Sequence, residues 1–117
     1  MNDRAPKPTR LEDGADLDRF VERNDLALVE FYTKGCARCQ AMEPVLGNVA
    51  RATGVAVGLI NPGNDVRLVD RFDVESVPTL VLFEDGSETG RIAEGFRGTG
   101  AVVTFVNEHA GEAVETE

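Results

Sequence analysis

Apolar residues recur along the chain with spacings that alternate between those of helices and those of strands. The stretch "ADLDRFVER" (15–23) sets Leu17, Phe20 and Val21 on one helical face, with Asp16 in the first turn, where the helix dipole favours an acid. It is followed by "LALVEFY" (26–32), a nearly unbroken apolar run of strand length, the pattern of a central strand covered on both faces. Its single charge, Glu30, is out of keeping with that setting. From Cys36 to about Ala52, helical spacing returns through Met42, Val45, Leu46, Val49 and Ala50, and Pro44 inside this helix is expected to kink it.

The second half of the chain repeats the alternation. "VAVGLI" (55–60) predicts another core strand. "DVRLVDRF" (65–72) predicts a short helix capped by Asp65, with Val66, Val69 and Phe72 turned inward. "TLVLF" (79–83) and the turn residues Asp85 and Gly86 predict a hairpin whose return strand lies around "RIAEGF" (91–96). "AVVTFVNEHA" (101–110) closes the series as a helix with Val102, Phe105 and Val106 on one side. The order βαβα, then a hairpin, then α, implies an α/β fold with a central mixed sheet flanked by helices on both faces.

Residues 1–10 and the acidic stretch 111–117 carry too few large apolar side chains to join a core, so the domain is expected to span 11–110 between a flexible N-terminal segment and an acidic tail. At 117 residues, one domain accounts for the length. No apolar run approaches the roughly 18 residues of a membrane helix, and the first ten residues lack the apolar stretch of a secretory signal, so a cytoplasmic location is expected. The formal net charge of -9 repels phosphate backbones and anionic lipid, which argues against nucleic acid and membrane partners. Lys7 and Lys34 are the only lysines, and this acid-rich, lysine-poor balance is similar to that of proteins from salt-loving microbes as well as to that of ordinary acidic cytosolic proteins.

The candidate chemistry lies in "TKGCARCQ" (33–40), at the junction of the first strand and the long helix. Cys36 falls where unpaired backbone N–H groups and the positive dipole end favour a thiolate, and Cys39 follows on the same face within disulfide reach. One sulfur can attack and the other resolve. Arg38 between them adds a positive charge that favours the thiolate. Small residues filling a helix turn are the plain alternative. A structural zinc site wants four ligands, and beyond the two cysteines the chain offers one distant histidine, His109, which reads as a solvated residue on the last helix. No metal and no cofactor are expected, and no nucleotide-binding glycine motif is present.

"LVEFYTKGCARCQAMEP", the later "SVPTLVLFEDG" and the order of elements together resemble the thioredoxin family over about residues 10–110. The resemblance implies the thioredoxin fold and a thiol-disulfide oxidoreductase that reduces protein disulfides, with Cys36 as nucleophile and Cys39 as resolving thiol. It implies a cis bond before Pro78, with Val77 receiving an extended substrate segment through its backbone; Pro78 opening an edge strand is the plainer reading. Glu30 matches the family's buried acid, a proton acceptor for Cys39, although a charge facing water is the alternative. Gly35, Ala37, Arg38 and Gly95 match positions around the substrate surface. Three departures stand out: Gly35 replaces the usual Trp, Ala37 and Arg38 replace the usual Gly-Pro, and the lysine that commonly pairs with the acid has no counterpart around Gly58 and Leu59. The implied partners are disulfide-containing proteins and a thioredoxin reductase or an equivalent electron donor, with the chain acting as a monomer. A thiol oxidant or isomerase, and a non-catalytic redox-sensing binding module of the same fold, are the competing functions.

Overall fold

The structure, a computed structural model, describes residues 7–93 and 95–110. Five strands form one sheet: β1 (Thr9–Leu11), β2 (Leu26–Phe31), β3 (Ala56–Ile60), β4 (Thr79–Glu84) and β5 (Ser87–Ile92). Their spatial order is β1-β3-β2-β4-β5, with β1, β3 and β2 parallel and β4 and β5 antiparallel to their neighbours. Among the described residues four α-helices cover the sheet: α1 (Gly14–Arg23), α2 (Ala37–Thr53), α3 (Arg67–Arg71) and α4 (Thr99–Ala110).

β2 lies in the middle of the sheet, so its side chains serve two cores by simple alternation. Ala27, Val29 and Phe31 face the core built with Leu17, Phe20 and Val21 of α1 and Leu68 of α3. Leu28 faces the other core, with Met42, Val45, Leu46 and Val49 of α2 and Val102, Phe105 and Val106 of α4. Each fully buried Leu or Met contributes about 1.5–3 kcal/mol relative to exposure. The first core is tightened at Gly58, where a Cβ would meet Leu11 Cδ1 at 2.8 Å and Phe20 Cε2 at 2.9 Å. A side chain there would force Leu11 and Phe20 to shift.

Several boundaries differ from the sequence expectation. Thr9 and Arg10, read as part of a flexible segment, pair with Gly58 and Leu59 as an edge strand. A three-residue strand carries too little pattern to stand out beside two prolines. Residues 1–6 and the tail 111–117 lie outside the described residues. In the short helix, Leu68 is the buried residue, while Val66 and Val69 are exposed and Phe72 is half-buried. Helical spacing over so few residues does not fix which face turns inward. Asp65 does not cap α3; its carboxylate accepts from the Gly14 amide at 3.0 Å, at the start of α1, and pairs with Arg67. The return strand starts at Ser87, directly after a two-residue turn in which Asp85 and Gly86 have φ of 51° and 85°, the handedness that matches strand twist. His109 is half-buried instead of solvated, its ring 4.6 Å from that of Phe105 and packed over Gly90.

Candidate active site

Because β4 runs antiparallel to β2, its start meets the end of β2, with Thr79 opposite Phe31. The turn before β4, the loop after β2 and the loop after β5 therefore gather at one edge of the sheet. Ser76 Oγ donates to the Ala93 carbonyl at 3.3 Å, and the Arg97 amide donates to Met42 Sδ at 3.4 Å, tying these loops to each other and to α2. The peptide bond between Val77 and Pro78 is cis; Pro78 is buried and Val77 half-buried.

Cys36 is the N-cap of α2, and Cys39 lies in its first turn. The two form a disulfide with Cα atoms 5.2 Å apart. Cys36 Sγ accepts a hydrogen bond from the Cys39 amide at 3.1 Å, one of the orphan donors of the helix end, and no acidic residue occupies the first turn. Both features favour negative charge on Cys36 once the bond is reduced. Cys36 is half-buried, whereas Cys39 is only 2% exposed. Of the two, Cys36 is the more accessible from outside.

Gly35 precedes this pair with φ of 76°, a conformation that suits glycine, and a Cβ there would have nothing within 4 Å. Ala37 and Arg38 are exposed. Gly95, with φ of 88°, closes the rim: a Cβ there would sit 3.8 Å from Arg38 Cδ. Gly35, Ala37, Arg38 and Gly95 thus surround the N-terminus of α2, and the Val77–Pro78 turn shares that edge of the sheet. Phe96, beside Gly95, is 49% exposed, and sequence reading passed over it because a lone aromatic in a loop carries no pattern.

Glu30 is fully buried, which removes the reading of it as a charge facing water. Alternation along β2 sends it to the same side as Leu28, the side covered by α2. Its neighbours across the sheet are Leu59 on β3 and Leu80 on β4, and neither carboxyl oxygen has a hydrogen-bond partner among the described residues. Desolvation, aided by the charge of Glu43 and opposed by that of Arg10, pushes its pKa up to about 8. Where a lysine could have faced it, Leu59 stands.

Sequence reading also missed a cluster close to this acid. Arg10 Nη1 donates to Tyr32 Oη at 3.1 Å and Nη2 pairs with Glu43 Oε2 at 3.2 Å, while the guanidinium lies 5.4 Å from the Tyr32 ring centre. The available signal was the placement of Glu43 four residues after Cys39, on the same helical face. Among the described residues no group of three or more His, Cys, Asp or Glu is arranged to hold a metal ion, and no helix is long and apolar enough to cross a membrane.

Comparison with known proteins gives consistent matches. Thioredoxin from Chlamydia pneumoniae is 33% identical over 95 residues, covering 80% of this chain and 91% of that protein. Protein disulfide isomerase-like 1-3 from Arabidopsis thaliana is 31% identical over 97 residues, which cover 81% of this chain but only 17% of that longer protein. A solved thioredoxin variant from Halobacterium salinarum superposes with a TM-score of 0.84 at 28% identity, covering 94% of this chain and 96% of that one. The thioredoxin family model matches residues 9–108. A match of that extent, on a chain whose two cysteines already form a disulfide at the head of a helix, makes this a member of the thioredoxin family and a thiol-disulfide oxidoreductase.

Proposed function

We propose that the protein reduces disulfides in other proteins through its Cys36–Cys39 couple. The observation that carries this reading is the half-buried Cys36 at the head of α2, disulfide-bonded to a Cys39 that solvent scarcely reaches. In the dithiol form, the Cys36 thiolate attacks one sulfur of the target disulfide and expels the other as a thiolate. A mixed disulfide joins Cys36 to the target. Cys39 then loses its proton to the Glu30 carboxylate and attacks Cys36 Sγ, which releases the second target thiolate and leaves the Cys36–Cys39 disulfide. Two electrons pass from the dithiol to the target.

Glu30 suits the acceptor role because a carboxyl with a pKa near 8 can take and return a proton close to neutrality. The extended target segment pairs with the backbone at Val77, beside Pro78, and lies against the rim of Gly35, Ala37, Arg38 and Gly95. A thioredoxin reductase or an equivalent donor restores the dithiol. The protein works as a cytoplasmic monomer without nucleic acid, membrane or cofactor, and its acid-rich, lysine-poor composition, with a halophile structural neighbour, fits a salt-rich interior. Reduction of insulin disulfides tests the reading: Cys36→Ser abolishes turnover, and unchanged turnover in that variant sinks it.

A second reading, an oxidant or isomerase, draws support from Ala37 and Arg38 between the cysteines and from the likeness to an isomerase-like protein. Redox titration against glutathione separates the two, since a potential well above the cytosolic glutathione poise marks an oxidant.

A further inference from the structure

The pairings Arg10↔Leu59, Leu59↔Glu30 and Glu30↔Leu80 set four residues in one row across the sheet. Neighbours in such a row point to the same face, and here it is the face under α2, where Leu59 and Leu80 belong to the core. With strands about 4.8 Å apart, the Arg10 backbone is about 10 Å from that of Glu30. The Arg10 side chain ends on Tyr32, which follows Glu30 by two residues, and on Glu43, which follows Cys39 by one helical turn. Three elements that frame Glu30, namely β1, the end of β2 and α2, are thus joined at the sheet edge by a single guanidinium.

The ion pair within this junction adds little to stability. The Arg10 and Glu43 side chains are 56% and 38% exposed, and an ion pair in such a setting contributes about 0–1 kcal/mol. Its position beside a buried carboxyl without partners does offer an explanation.

We propose that Arg10 and Glu43 are positioning residues for the proton step at Glu30, setting with opposite charges how tightly that carboxyl holds its proton. The proposal rests on the reading of Glu30 as the acceptor of the Cys39 proton. A cation at the edge of the row favours the carboxylate, whereas the Glu43 anion favours the acid, so their pairing tunes the point at which Glu30 can take a proton from Cys39 and give it up again. From β1 the charged neighbour of Glu30 is Arg10, and from α2 it is Glu43; β3 and β4 present Leu59 and Leu80, and α4 adds only Val102, Val103, Phe105 and Val106 to that core. The direction of each influence on Glu30 agrees with this assignment, Glu43 raising its pKa and Arg10 lowering it.

The test is an NMR titration of the Glu30 side-chain carboxyl carbon in the oxidised protein, its resonance assigned by loss in Glu30→Gln. Arg10→Gln raises the midpoint by about half a pH unit to one unit and Glu43→Gln lowers it by a similar amount, while Arg10→Lys stays nearer to wild type than Arg10→Gln. Anything other than opposite shifts in the two glutamine variants overturns the proposal, as does an Arg10→Lys midpoint equal to that of Arg10→Gln. If Arg10→Gln does not fold, Glu43→Gln decides alone: a lowered midpoint supports the proposal and an unchanged or raised one overturns it. Insulin reduction unaffected by Glu30→Gln removes the acceptor reading, whereas the midpoints still report whether the edge pair acts on Glu30.

Discussion

Glu30 and Leu59 stand directly opposite each other on adjacent parallel strands, a buried carboxyl against a buried leucine. A carboxylate in that position has no hydrogen-bond donor among the described residues to offset its desolvation, so Glu30 is mostly protonated at neutral pH, with a minor carboxylate fraction, and half ionised near pH 8.

This sets how stability depends on pH. Below about 4.5 both native and unfolded chains carry the Glu30 proton; from there to about 8 only the native chain does, so this residue makes stability fall as pH rises. The slope reaches at most about 1.4 kcal/mol per pH unit and vanishes above the native pKa. Urea unfolding of the oxidised protein across this range, compared with Glu30→Gln, isolates the effect. The stability gap should widen in favour of the glutamine variant up to about pH 8 and then stay level.

Placing a cation opposite the acid reverses part of this. Leu59→Lys should lower the Glu30 midpoint by about one unit or more and move the pH dependence of disulfide exchange to lower pH, at some expense in core packing. A titration midpoint at or above the wild-type value refutes the account of Leu59 as the cause.

Cys39→Ser should trap the intermediate. With the resolving thiol gone, Cys36 remains joined to its target, and a covalent adduct appears on a non-reducing gel. Adduct formation by Cys36→Ser in its place reverses the assignment of the two sulfurs.

For Glu30→Gln the single-turnover rate of mixed-disulfide resolution near neutral pH should fall by about two orders of magnitude or more, the scale of a lost general base. The initial attack by Cys36 should change far less, and equal slowing of both steps is the outcome that removes Glu30 from the proton transfer.

Gly58→Ala probes packing away from the chemistry. Its Cβ would overlap Leu11 and Phe20, so a loss of about 1–3 kcal/mol is expected in urea unfolding, with the reduction potential unchanged.

Long periodic stretches made most of the fold legible. The runs at 26–32 and 55–60 and the helix from Cys36 are each patterned strongly enough to fix type and face, and the Cys-x-x-Cys followed by Val77-Pro78 carried the family. The three-residue β1 and five-residue α3 are too short for periodicity to set register or inward face, so Arg10 was read as loose and Val66 as buried. The part of the site that was hidden depends on that register. No spacing along the chain announces that Arg10, Leu59 and Glu30 share a row, because the order β1-β3-β2 is decided by long-range pairing.

The chain has no tryptophan and a single tyrosine, Tyr32, whose hydroxyl accepts from Arg10. Its intrinsic ultraviolet emission above the weak phenylalanine band therefore comes from one ring, at the rim of the Glu30 row. An emission record of this protein through its redox cycle therefore reports on the surroundings of that ring, the Arg10 guanidinium among them.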